Sequence, residues 1–342
     1  MIDVAYAHGG APLRGRIRAT AEDFEVEEIL GFSADGHGEH AFVHIEKRDA
    51  NTEWVARQLA RFANVAPMSV GYSGLKDRHA LTRQSFSVHL PGLPDPDWAR
   101  IEIEGVRILG ATRHSKKLKR GVHRGNRFRI ILRDLEGDRT SAETRLELVA
   151  RLGVPNYFGE QRFGNDGGNL RSAEALFAGA RLGRSERGFA LSAARSHVFN
   201  RVLSQRVSAH SWNKPLDGEI WMLCGTHSIF GPQALDPELQ ARLESFDIDP
   251  TGPLWGRGEL RSISEVAAIE YEAAAATGFA QGLEAADLRQ ERRSLRLRPA
   301  EFSARWSEDS LLLEFSLPAG CFATSIIREI CSTATASAAD SI

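Results

Sequence analysis

The loop Gly74-Leu75-Lys76-Asp77-Arg78-His79 brings a carboxylate, two cations and an imidazole into six consecutive residues. An isolated loop aspartate is most often a turn-former or a helix cap. Asp77 differs in being flanked by Lys76 and Arg78, with His79 next. Cations within about 4–6 Å favour the charged form of a carboxylate, and a carboxylate that attacks an electrophilic carbon must be charged. A tight loop between two strands would hold it in place. On these residues alone Asp77 is open to either reading, a turn-former or a carboxylate kept charged for chemistry. Other clusters carry less. His37, Glu39, His40 and His44 are metal-binding types, but they would span a turn and a strand with mixed facing, whereas zinc needs convergent ligands; no metal is expected. Gly36-His37-Gly38 lacks the third glycine and the following helix of a dinucleotide loop, and the chain has no GxxxxGK.

The elements around Asp77 can be read from periodicity. Asp23–Ile29 and His40–Glu46 predict strands, the second through alternation of Phe42 and His44 with Val43 and Ile45. Asn51 is the expected N-cap of a helix to about Ala63, with Trp54, Val55, Leu59 and Phe62 at helical spacing. Ser69–Tyr72, Ser85–Leu90 and Arg127–Leu135 predict further strands. Thr140 with Glu143 predicts a capping box for a helix ending at Gly153. The stretch NYFGEQRFGNDGGNL then changes character, and Val198, Phe199, Val202, Leu203 and Val207 form a helical stripe. Helices are expected at Ser264–Ala276 and Gly278–Leu295. After Pro299 come a hairpin, EFSARW and LLLEFSL, and a short helix, ATSIIREI; the tail STATASAADSI is expected to fray. The β-rich ends and helix-rich middle predict one domain interrupted by another: residues 1–152 and 300–342 around an insertion of 153–299.

Composition narrows the function classes. The 342 residues, 42% hydrophobic and 26% charged, suit two globular domains at about 100–200 residues each. No apolar run approaches the about 20 residues that span a bilayer, and the first residues lack the apolar centre of a signal peptide. Three cysteines with no CxxC pair argue against a disulfide framework or a thiolate zinc site. The cytoplasm is the expected compartment. The net charge of −2 hides a local excess: Arg113 to Arg133 holds nine Lys or Arg and no acid. Further basic residues cluster at Arg289–Arg298 and Arg181–Arg206. Like charges this close repel unless an anion neutralises them, and nucleic-acid phosphate is the candidate.

Five segments, in order, resemble one family. SGLKDRHALTRQ is similar to the catalytic motif of TruD-type pseudouridine synthases, whose nucleophilic Asp falls on Asp77. TAEDFEVEE resembles that family's opening and KLKRGVHRGNRFRIILR its second active-site segment. GVPNYFGEQRFGNDGGNL with LSAARSHVFNRVLSQR resembles its insertion domain, and FSLPAGCFATSIIREI its C-terminal active-site segment. The resemblance implies an α+β fold: a mixed β-sheet catalytic domain flanked by helices and interrupted by an inserted α/β TRUD domain. It implies isomerisation of uridine to pseudouridine in tRNA, at position 13 of the D-arm, without metal or organic cofactor. The implied partner is tRNA, with neither a membrane nor an obligate protein partner.

The same resemblance places Phe24, Phe128 and Phe322 in the pocket. Phe128 stands where most other pseudouridine synthases use Tyr. Asn126 becomes a partner for the uracil edge, although Asn after Gly also suits a turn. Arg328 becomes the ion partner of Asp77; Lys76 competes, but in an extended loop it would point away. The chemistry agrees. Uracil must leave C1′, rotate and rejoin through C5, which needs no redox step or group donor. The carboxylate can accept the sugar carbon or help remove a proton so that a glycal forms. Either route requires the uridine out of its stack. A basic strip gripping the backbone in a cleft between domains, with the insertion reading RNA shape, completes the expectation. A non-catalytic RNA-binding protein on the same fold, a methyltransferase and a glycoside hydrolase are the rivals. The second would need a glycine-rich cofactor loop and the third a second carboxylate.

Overall fold

The computed structural model describes residues 4–335. Its contacts divide into two compact units. One contains Pro12–Ala142, Pro299–Gly320 and the strand Cys331–Thr335; the other contains residues 4–11, Glu143–Arg298 and Cys321–Ile330.

The first unit is built on one mixed sheet. Its strands are β1 (Leu13–Ile17), β2 (Phe24–Ile29), β3 (His40–Arg48), β4 (Val70–Tyr72), β5 (Leu81–His89), β6 (Val106–His114), β7 (Gly125–Gly137) and the hairpin Ala300–Ser307/Ser310–Pro318. From that hairpin the order runs through β7, β2, β5 and β3 to β6. Pairing is antiparallel except between β2 and β5 and between β1 and Cys331–Thr335. The register aligns side chains into rows across one face. Phe315 lies opposite Phe128, Phe128 opposite Val26, Val26 opposite Thr82, and Thr82 opposite Lys47. One pair along, Asn126 lies opposite Glu28. Helix α1 (Thr52–Phe62) is capped by Asn51, whose Oδ1 accepts from Glu53 N at 2.8 Å. Its buried Val55 and Leu59 pack with Val43, Ile45, Phe86 and Val88. Burial of such side chains, about 25 cal/mol per Å² of apolar surface, holds the helix on the sheet beside the Asp77 loop.

The second unit has as its spine the helix Arg184–Ser208, whose buried Val198, Phe199, Val202 and Leu203 carry the expected stripe. A four-stranded sheet runs Ile229–Phe230, Trp221–Leu223, Ile248–Leu254, Glu291–Ser294.

Contacts and element ends differ in part from the expectation. Residues 4–11, most of the helix Arg139–Leu152 and Cys321–Ile330 group with the insertion rather than with the sheet. The reason is specific bonding: Ala7 N and His8 N donate to Glu329, and Ser325 Oγ to the Tyr157 carbonyl. The helix Arg139–Leu152 is capped by Asp138, which accepts from Thr140 N at 3.0 Å, two positions ahead of the expected box. The helix expected over Gly278–Leu295 spans Ala280–Ala285; Asp287 then turns left-handed and Glu291–Ser294 is a strand. In the tail, Cys331–Thr335 is paired rather than frayed, and residues 336–342 lie outside the described part.

Candidate active site around Asp77

The loop between β4 and β5 is fixed by its neighbours. Lys76 N donates to Thr52 Oγ1 at 3.1 Å, that hydroxyl donates to Gln84 Oε1, and Gln84 Nε2 donates to the Gly74 carbonyl at 3.3 Å. Beneath the loop Glu28 is buried on the β2 face. It accepts from Lys76 Nζ at 2.9 Å, from Ser85 N at 3.2 Å and from Ser73 Oγ. Lys76 thus points into this pair, away from its neighbour's carboxylate, as alternation in an extended loop predicts. His123 lies beside the pair; burial, and then the Lys76 charge, push its pKa down.

Asp77 is held partly open, its side chain 18% exposed. Oδ1 accepts from His79 N at 3.1 Å, Oδ2 accepts from Arg18 Nη2 at 2.6 Å, and the main-chain carbonyl accepts from Lys47 Nζ at 3.0 Å. Arg18 also lies over the Phe24 ring, 4.1 Å from its centroid. Its φ of 58° is left-handed, a conformation that costs a residue with a Cβ about 1–2 kcal/mol and that marks functional sites when the surroundings enforce it. Among the described residues the buried Arg18 Nε has no partner.

The expected residues divide between the units. Phe24, Asp77, Asn126 and Phe128 share the sheet unit. Phe24 and Phe128 meet edge to face at 6.3 Å, and Phe128 stacks on buried Phe315 at 5.4 Å. Both rings are buried, so Phe24 supports Arg18 and Phe128 supports Phe24. Asn126 is also buried, and its Oδ1 has no partner among the described residues. Phe322 and Arg328 belong to the other unit. Phe322 is half-buried, edge-on to Phe158 at 6.0 Å, with the Arg162 guanidinium 5.8 Å over its ring.

Within its own unit Arg328 has partners of its own. It donates to the Val4 and Ala5 carbonyls at 2.7 and 3.1 Å, and its guanidinium lies 4.0 Å from the Tyr6 centroid. Within the sheet unit Arg18 pairs with Asp77. Sequence reasoning missed Arg18, Lys47 and Glu28. For the last two a signal existed: each interrupts an alternating apolar face.

The basic strip is also partly spent internally. Arg113, Arg120, Arg127, Arg129 and Arg133 pair with Asp95, Glu53, Glu301, Glu25 and Asp23. Lys117 bonds the Met68 carbonyl. Among the described residues Lys116, Lys119 and Arg124 make no ion pair, and all three are exposed. In the second cluster, Arg292 and Arg296 are turned inward onto Glu270 and Asp249.

Comparison with known proteins now decides the family. The model of "tRNA pseudouridine synthase D (TruD)" matches residues 4–180 and 178–330. The chain belongs to the TruD family. It is 47% identical to tRNA pseudouridine synthase D of Xanthomonas campestris pv. campestris (strain B100) over 95% of this chain and 93% of that one. It is 50% identical to the tRNA pseudouridine synthase D of Methylococcus capsulatus over 96% of this chain and 94% of that one. The TruD fold is matched by the crystal structure of a putative tRNA pseudouridine synthase D from Methanosarcina mazei, with a TM-score of 0.70 at 23% identity and 95% coverage of both chains.

Proposed function

We propose that this TruD-family protein isomerises uridine to pseudouridine in tRNA, at position 13 of the D-arm, with Asp77 as nucleophile. As a family member it is a tRNA pseudouridine synthase, an isomerase. The observation that carries the site assignment is the partly exposed Asp77 carboxylate, oriented by Arg18 on one oxygen and His79 N on the other. On the same face of the sheet unit, the unpartnered Asn126 Oδ1 can accept the N3–H of uracil. The C1′–N1 bond breaks with its electron pair going to N1. C1′ is then either taken by the Asp77 carboxylate or loses the neighbouring sugar proton to give a glycal. The base rotates and C5 bonds to C1′, either displacing the Asp77 carboxylate or, from the glycal, with the sugar proton returned to C2′; the C5 proton is lost and N1 is protonated, so the atoms balance without a cofactor.

Phe24 and Phe128 form a floor under Arg18. For Phe322 the resemblance is the support, and its half-buried ring with Arg162 beside it suits stacking on a base. Lys116, Lys119 and Arg124 are the exposed cations suited to RNA phosphate. For Arg328, which holds the Val4 and Ala5 carbonyls in the other unit, the resemblance alone is the support. A tRNA substrate places the work in the cytoplasm. The test is tritium release from C5-labelled tRNA, with pseudouridines mapped after incubation with the protein and without it. Asp77→Asn is expected to abolish product while tRNA binding persists. Near-normal turnover in that variant would remove Asp77 from the role, and labelled tRNA left unmodified by the parent protein would remove the function.

A further inference from the structure

Lys47 occupies an unexpected position for a lysine. It follows Ala41, Val43 and Ile45 on the buried face of β3 and is itself fully buried. Its ammonium donates to the Ala50 carbonyl at 2.7 Å and to the Asp77 carbonyl at 3.0 Å. A buried ammonium is expensive. Burial pushes its pKa down to about 8, against the upward pull of Asp77; Lys76 lowers it and Asp49 raises it to a lesser degree. A methionine would fill similar volume without that cost, so packing does not explain a lysine here.

We infer that Lys47 is a positioning residue for the reaction, fixing the Asp77 backbone from which the carboxylate is aimed. The inference rests on Asp77 being the nucleophile. Arg18 and His79 N restrain the side-chain oxygens; Lys47 restrains the main-chain carbonyl of the same residue, at a third point. Without it, the peptide after Asp77 would lose a charged donor in a water-poor setting and gain freedom to rotate. A displacement of ~1 Å at a reacting group costs about 10²-fold in rate. The groups around Lys47 from each neighbouring element are consistent with this. β5 offers uncharged Thr82 and β6 offers Val106, while the loop and the turn after β3 bring Asp77, Lys76 and Asp49.

Lys47→Met keeps side-chain length and removes the donor; Lys47→Arg keeps the charge. Both are compared with the parent, as full-length proteins, in single-turnover conversion of labelled tRNA and in tRNA filter binding. The expected result for Lys47→Met is a rate lower by about 30- to 100-fold with tRNA affinity within twofold, and Lys47→Arg recovers much of the loss. A Lys47→Met rate within threefold of the parent overturns the inference. So does joint loss of rate and affinity with no recovery by arginine. If Lys47→Met does not fold, the parent's own pH profile decides. A fall in rate with a midpoint near the lysine's pKa of about 8, moved upward in Lys47→Arg, supports the assignment, and a flat profile overturns it. A parent without activity would instead indict the reading of the site. An active parent with inactive Asp77→Asn and active Lys47→Met would indict Lys47 alone.

Discussion

Arg18 can be removed in two ways that its backbone distinguishes. At a φ of 58°, Arg18→Met keeps the left-handed strain and loses the ion pair, whereas Arg18→Gly loses the pair and sheds the strain. The pair joins Nη2 and Oδ2 at 2.6 Å between side chains 16% and 18% exposed. That is drier than the surface pairs that contribute about 0–1 kcal/mol. Hydrogen bonds to charged groups in such settings contribute about 1.5–3 kcal/mol. If that energy selects the reactive orientation of Asp77, either variant should lose roughly 10- to 150-fold in single-turnover rate. Stability should follow another order, because relief of a left-handed residue returns about 1 kcal/mol. Arg18→Gly should therefore unfold at higher urea than Arg18→Met while being no faster. The measurements are single-turnover tritium release and urea midpoints on the same preparations. Rates that track the urea midpoints would make Arg18 a stabilising residue only, and a variant at parental rate would refute the orientation argument outright.

Three further outcomes are expected. Lys76→Met strands the buried Glu28 carboxylate, so it should destabilise by about 3–5 kcal/mol, and adding Glu28→Gln should recover part of this in a double-mutant urea cycle; additive losses would deny the coupling. Asn126→Ala removes an acceptor that has no partner, so thermal stability should hold or rise while pseudouridine formation slows about tenfold or more; a slow variant that is also unstable would mean a structural role. His197, edge-on to Phe163 and Phe279, has its pKa lowered by burial first and then by Arg201. The unfolded chain therefore binds its proton before the folded one, and stability should fall as pH drops below the ordinary histidine value of about 6.5. His197→Gln should flatten the urea midpoint between pH 7 and 5.5, and an unchanged slope would assign the acid sensitivity elsewhere.

Much of the sheet unit was legible because its signals are local. Asn51 before an amphipathic run placed α1 to within a residue, and the segments EFSARW and LLLEFSL after Pro299 placed the closing hairpin. β6 was missed because it is an edge strand, with Leu109, Gly110, Ala111 and Thr112 exposed and no apolar face to read. The strand at Glu291–Ser294 was misread as helix because its arginines are good helix formers. Their side chains are taken by distant partners: Arg292 by Glu270 and Thr251, Arg293 by Asn156. Such long-range bonding leaves no trace in spacing.

The charges teach the more general point. A run of cations suggested an anion, and five of its nine members found their anions inside the same sheet unit. Those acids come from β2, α1, the closing hairpin and loops, so a basic segment can be neutralised with no acid of its own. The more discriminating feature was a charge on an apolar face. Phe24, Val26, Glu28 and Ala41, Val43, Ile45, Lys47 each run along a buried row until a charged residue closes it. Burial makes such a residue costly unless another group needs it, and here both serve the loop that carries Asp77: Glu28 by anchoring Lys76, Lys47 by holding the Asp77 carbonyl. An alternating pattern broken by one charge is therefore a better pointer to a site in this fold than an abundance of charge.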